Sequence, residues 1–541
     1  MNRAVFAVSL LAAAYLLNGA ARAFVVGSAP SLDELIREAN FIGKVTVLES
    51  KPVVDSWFDG VRGFAPVQTR LEVLATYKGD PGRAEIGFRH FPAGEDALYV
   101  PQTYRLERGR TYILFAAATD DRAVYRQLWK ALRYPSDQAI VLAANREPRT
   151  GQAVKEIIFA ELTGLLKNPT TADVKYGLEH LDRLSGFGDL FAPQPEFDRE
   201  RVLVHVAPLL SSADNDVALA AAKTIGSNNP YMYADDPQRW LVPDERPRDA
   251  PLLGIATKEG TRPNPGGKLY WKELVALADR PGPAPTRAFA IRALGHSEEP
   301  AILPHALTWT TDAEPLVRKA AVVLLADFNS ETVTEAVSRL AADQQAEARV
   351  GAALAVGFGQ WKELIPLLGK MLGDASPAVQ RAAAMSLLSF SARDSGDVLR
   401  ANVDNREFHA VFVNALARED TAAYVDELGE IIKKRESPQR WDGIVPWAVS
   451  WDRLFFYVQV QPVEQVRDGR FDRVLELLEY PARGFLFTSS SEPRDLYALY
   501  VQRGMADRAA NFRALTKNHF GGGMGEFYDR VDRDPQRFQR Q

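Results

Sequence analysis

The chain has 541 residues, beyond the ~250–300 at which a single hydrophobic core stops growing, so more than one domain is required. Its 46% hydrophobic and 25% charged residues are the proportions of a globular chain and exclude wholesale disorder. A net charge of −5 argues against a nucleic-acid footprint, and the absence of cysteine excludes disulfides, thiol nucleophiles and thiolate metal sites.

Residues 1–23 read as a secretory signal peptide: Arg3 opens it, an apolar run extends from Ala4 to Leu17, and Ala21-Arg22-Ala23 supplies a small-residue cleavage pattern. The run is shorter than the about 20 residues that a membrane span needs, and no later stretch reaches that length. Cleavage would remove Arg3 and Arg22, leaving 63 basic against 70 acidic residues. The expectation is an exported protein, periplasmic or extracellular, of bacterial origin.

Residues 24–135 read as a small all-β domain. Ser31 is placed to cap a short helix, with Glu34 three residues on. In Gly43-Lys44-Val45-Thr46-Val47 the valines alternate with polar residues at the period of a half-buried strand. Further strands are expected at Gln68–Tyr77, Arg83–His90 and Thr111–Ala117, with glycine-bearing turns at Lys78–Gly82 and Arg108–Arg110. A barrel or a sandwich satisfies this pattern. The segments ANFIGKVTVLES, TRLEVLATYKGD and LERGRTYILFAA resemble the netrin-like, or TIMP-like, module, which implies an OB-type barrel. Inhibitors of that family chelate a protease's zinc through an N-terminal cysteine. This sequence has none, so protease inhibition is an alternative that the resemblance alone suggests.

Residues 136–400 carry an internal repeat. TRAFAIRALG from Thr286, VRKAAVVLLA from Val317, ARVGAALAVG from Ala348 and VQRAAAMSLL from Val379 align without gaps at a step of 31. Looser copies begin at Val217 and Val174. A second amphipathic segment lies between copies, as in Leu364–Leu372, so each repeat is a pair of helices that buries its apolar face only by stacking on its neighbours. This is similar to the HEAT family in its short, phycobilin-lyase-like form, and implies an all-α solenoid. Asp312, Asp343 and Asp374 recur at the same step, as do Arg287, Arg318 and Arg349. An Asp before a helix caps it, and the arginine is placed to pair with that Asp or with the neighbouring repeat's. We read these six residues as a structural ladder. It breaks where Gln380 replaces arginine.

An insertion at about 228–268 interrupts the array with seven prolines and with Tyr231, Tyr233 and Trp240. Insertions in solenoids collect on one face, often the binding face, so these aromatics are candidate partner-binding residues. The competing reading has them packing the insertion onto adjacent helices. Residues 401–541 continue as a less regular helical cap with an aromatic cluster of Trp441, Trp447, Trp451, Phe455, Phe456 and Tyr457, the last four of which have the spacing of a core stripe.

No motif carries chemistry. None of the 7 histidines begins a His-Glu-x-x-His zinc site, and there is no Gly-x-Ser-x-Gly elbow. Gly266-Gly267-Lys268 and the glycines at 521–523 follow no strand and are not phosphate loops. The expectation is a non-enzymatic scaffold without cofactor or metal, binding protein partners through the solenoid surface, with no nucleic acid and no membrane span. Membership of the HEAT-type lyases is a second alternative, resting on resemblance.

Overall fold

A computed structural model describes residues 30–61, 64–93, 102–130, 139–186, 195–227, 230–233, 264–434, 446–460, 470–481, 491–516 and 524–534. The expected signal peptide and Trp240 lie outside the described residues. The chain divides into two compact units, Met1–Asn228 with Pro265–Thr286, and Asn229–Asn264 with Arg287–Gln541.

The first unit opens with helix α1 (Leu32–Glu38), where the Ser31 hydroxyl accepts the Glu34 N–H at 3.0 Å. The expected strands follow as β1 (Phe41–Pro52), β2 (Val67–Lys78), β3 (Glu85–Pro92) and, past the short β4 (Thr103–Tyr104), β5 (Thr111–Ala118). A short strand without a periodic signal decides between barrel and sandwich. Strand β6 (Val124–Arg126) pairs parallel to β3 and antiparallel to β5. Because β5 also pairs with β1, the ring β1-β2-β3-β6-β5 closes on itself as a five-stranded barrel of OB type. A last strand, β7 (Ile140–Leu142), adds to β5.

Closing so few strands requires sharp coiling, and β1 supplies it with register breaks at Ile42/Gly43, Lys44/Val45 and Val47/Glu49. Gly43 is needed at the first break, since a Cβ there would lie 2.8 Å from the Ala75 carbonyl oxygen.

The alternation in β1 predicts Lys44 and Thr46 on a solvated face, and the structure overturns this. They are 0% and 2% exposed, because the segment from Ala144 to Glu161 covers that side. The Lys44 ammonium donates to Glu161 Oε1 (2.8 Å), the Glu147 carbonyl (2.6 Å) and Asn145 Oδ1 (3.3 Å). Glu161, on helix α2 (Val154–Leu165), also accepts Arg149 Nε and the Ala144 N–H, both at 2.8 Å. A second tie joins Arg110 to Asp173 on helix α3 (Thr171–Ser185). Helices α4 (Arg199–Val206), α5 (Asn215–Gly226), α6 (Pro265–Leu269) and α7 (Trp271–Asp279) complete the unit.

The second unit begins within α8 (Ala284–Ala293) and proceeds in pairs: α9 (Leu303–Trp309) with α10 (Pro315–Leu324), α11 (Glu331–Leu340) with α12 (Ala346–Gly359), α13 (Ile365–Met371) with α14 (Pro377–Leu388), and α15 (Ala392–Ala401) with α16 (His409–Leu416). The self-similar segments are the second helices. They pack directly on one another through buried small residues, among them Ala320, Ala321, Ala352 and Ala383. Gly351 fixes the α10–α12 approach: a Cβ would lie 2.9 Å from Lys319 Cα and 2.8 Å from Val322 Cγ1.

Beyond α16, helices α17 (Val425–Lys434), α18 (Pro446–Val460), α19 (Arg470–Glu479), α20 (Ser491–Gln502), α21 (Ala506–Thr516) and α22 (Met524–Arg533) enclose one core. Trp451 stacks on Phe455 at 5.3 Å and donates its indole N–H to the Leu478 carbonyl at 2.9 Å, so these rings are core rather than a ligand box.

Candidate functional site

The recurring charges form an inter-repeat ladder. Arg287 reaches Asp312, Arg318 reaches Asp343 and Arg349 reaches Asp374, each with two nitrogens on two carboxylate oxygens at 2.5–3.2 Å. Each arginine thus pairs with the following repeat's Asp. The next arginine also donates back to that Asp's own carbonyl, Arg318 to Asp312 at 2.8 Å and Arg349 to Asp343 at 2.7 Å. The Asp has a second task. Asp312, Asp343 and Asp374 accept the N–H two residues on, at 2.8–2.9 Å, which sets the turn into the second helix.

At Asp312 and Asp343 burial disfavours the charge, but the arginine and the turn N–H outweigh it and hold the carboxyl below its ordinary range. At Asp374 the Arg349 bond is the largest influence, in the same direction. At the far end Gln380 keeps the bond to the Asp374 carbonyl, and Asn405, one step beyond Asp374, keeps the turn bond to Glu407. The ladder loses its charges there and retains its turn geometry. Bidentate pairing inside the stack occupies both partners, so these residues hold repeats together and offer no row of open guanidiniums to an anionic ligand.

The insertion's aromatic residues divide. Tyr231 is 1% exposed, lying in the short turn Pro230–Tyr233. Its hydroxyl donates to Asp327 Oδ1 at 2.9 Å, and its ring packs on His296 (4.6 Å) and Phe358 (4.8 Å). As placed here Tyr231 is an internal anchor, which corrects its reading as a residue presented to a partner. The packing reading holds for it. The side chains of Tyr233 and Trp240 lie outside the described residues. The far end of the insertion meets the same place. Asn264 donates its side-chain amide to the Ala293 and Gly295 carbonyls and its N–H to the His296 carbonyl.

Sequence reasoning missed this cluster, although its spacing was on view. His296, Asp327 and Phe358 follow one another at the repeat's step of 31. Their residue types differ, so comparison of copies by side-chain type does not register them.

The first unit carries an open apolar groove of about 620 Å³ between residues 204–211 and 270–280, lined by Val204, Pro208, Leu210, Tyr270, Ala276 and Leu277. Arg280 on its rim already donates to the Ser212 carbonyl (2.9 Å) and to Asn215 Oδ1 (3.3 Å). Burial, then Glu273 and Glu200, raises the Tyr270 hydroxyl's pKa, which disfavours it as a base. Among the described residues no group of three His, Asp or Glu side chains is placed to hold a metal ion. No helix among them is long and apolar enough to cross a membrane.

The fold class is therefore an N-terminal five-stranded β-barrel followed by HEAT-type helical repeats. Residues 272–357 match the family profile of HEAT repeats. No curated protein is significantly similar to this chain in sequence. Among solved structures, Escherichia coli YibA is 13% identical, with a TM-score of 0.31 over 57% of this chain and 98% of that one. The CpcE–CpcF complex of phycocyanin lyase from Nostoc is 17% identical, with a TM-score of 0.28 over 53% of this chain and 94% of that one. Kap121p is 11% identical, with a TM-score of 0.32 over 71% of this chain and 49% of that one.

Proposed function

We propose that this chain is an exported, non-enzymatic scaffold that holds a protein partner on its helical repeats. The observation that carries the reading is the use of the recurring polar residues. All three Arg–Asp steps between residues 287 and 374 are consumed in joining one repeat to the next, so the repeat invests its charge in stacking. Stacked helix pairs present extended surfaces, which is how such architectures serve as binding platforms. The match of residues 272–357 to HEAT repeats supports the same reading. Export is proposed from the leader-like residues 1–23. We further read the barrel as netrin-like in type, on its closed five-strand ring.

The test is recovery of the full-length chain from the producing cell's exported fraction after mild crosslinking. The reading expects a stoichiometric protein partner whose recovery is lost when the repeats are disrupted. Absence of the chain from that fraction, or a monomer free of partners after crosslinking, contradicts it.

A further inference from the structure

The insertion's described end, Pro230–Tyr233, occupies a row that the repeats themselves build. His296, Asp327 and Phe358 stand at the same place in three consecutive repeats, each just where a second helix ends. Tyr231 lies across all three, with its ring between the outer two side chains and its hydroxyl on the middle carboxylate.

Three features mark this as a seat occupied by a separable strap. The helices beneath it pack on each other through Ala320, Ala321, Gly351 and Ala352, so the repeats do not need Tyr231 to stay stacked. The contact is polar at its centre: Asp327 accepts the phenol on one oxygen and the His296 N–H, at 2.6 Å, on the other. His296 is held at φ 56°, a left-handed conformation that non-glycine residues rarely adopt, and the bonds from Asp327 and Asn264 hold it there.

We infer that the row His296, Asp327 and Phe358 is a tyrosine-binding subsite of the repeat surface, closed in this chain by its own Tyr231 and opened to a tyrosine-bearing segment of a partner protein. This rests on the scaffold reading. The strap itself is the template for the occupant: a turn that presents a phenol, whose O–H the Asp327 carboxylate accepts between two flanking rings. The strap is then an autoinhibitory contact, and a partner competes with it for one seat.

The experiment has two arms. In the first, hydrogen exchange is followed in the full-length chain alone, with and without Tyr231→Phe. Residues 230–233 and 293–297 should exchange by an opening that leaves α10 and α12 protected. Loss of the phenol bond in Y231F should speed that exchange by about tenfold or more. Exchange of those residues only together with α10 and α12, in both proteins, overturns the strap and leaves Tyr231 as ordinary core. In the second arm, a synthetic peptide of residues 229–235 is titrated into full-length Y231A. Binding that disappears when the peptide's tyrosine at 231 is replaced by alanine is expected. No binding to a Y231A chain whose repeats remain folded by circular dichroism overturns the subsite. The first arm needs no partner, so its failure is distinct from failure of the scaffold reading.

Discussion

Asp343 is at once a turn-setter and a rung. It accepts the Gln345 N–H in the turn that leads into one helix and the guanidinium of Arg318 from the repeat before. Removing it therefore breaks two interactions and leaves a largely buried arginine fork without its carboxylate, whereas removing Arg318 leaves the turn bond intact. Asp343→Ala is expected to cost about 3 kcal/mol and Arg318→Ala about 2 kcal/mol, by urea denaturation, with the double variant well short of the sum. Additive losses would deny the pairing. In the barrel, His90 is buried against Phe88 and Tyr104, and burial pulls its pKa from 6.5 down to about 4. The unfolded chain then binds the proton more readily, so stability is complete above pH 6.5 and falls as pH drops toward 4, by up to about 3 kcal/mol. The ladder acids, held below their ordinary value of 3.8, give way only at still lower pH. Thermal scans of the full chain should show a slope between pH 6.5 and 4 that His90→Gln reduces, part of the remainder belonging to His205, whose pKa burial also lowers. An unchanged slope in that variant would assign it elsewhere.

At the scale of elements, close approach of second helices sets the repeat. In Gly351→Ala the added methyl meets the α10 backbone, so the substitution should destabilise by about 1–3 kcal/mol despite alanine's better helix propensity. Stabilisation in guanidinium unfolding would mean that the helices stand further apart than described. How much of this was legible follows from period. The strict step of 31 located α8, α10, α12 and α14, because stacking forces small residues to recur where neighbouring helices touch. The ladder residues were visible for the same reason, while the direction of each pair, toward the following repeat, needed coordinates. Strand β6, which closes the barrel, was not visible: three residues between turns carry no period. Lys44 was misplaced because alternation reports a strand's two faces and not what later chain packs on them. Tyr231 stood out as an aromatic in a proline-rich stretch, but its seat of His, Asp and Phe is a likeness of position and not of residue type.

For the whole molecule, the barrel and the helices that follow it are joined through a buried charge. Lys44 and Glu161 are both fully buried, and Glu161 also holds Arg149. Cutting the chain after residue 135 removes Glu161 and leaves an ammonium inside the barrel wall without its acceptors, so residues 24–135 alone should fail to fold, as judged by circular dichroism. In the full chain, Glu161→Ala should cost about 3–5 kcal/mol. A stable, monomeric 24–135 fragment would separate the barrel from the stack.

The central claim is that the repeats hold a protein partner. Crosslinking mass spectrometry on the full-length chain in its native exported compartment tests it most directly. The account predicts intermolecular crosslinks to one recurrent partner, concentrated on residues 264–401. A chain that yields only intramolecular crosslinks, or whose crosslinks to other proteins scatter without preference for the repeats, contradicts it.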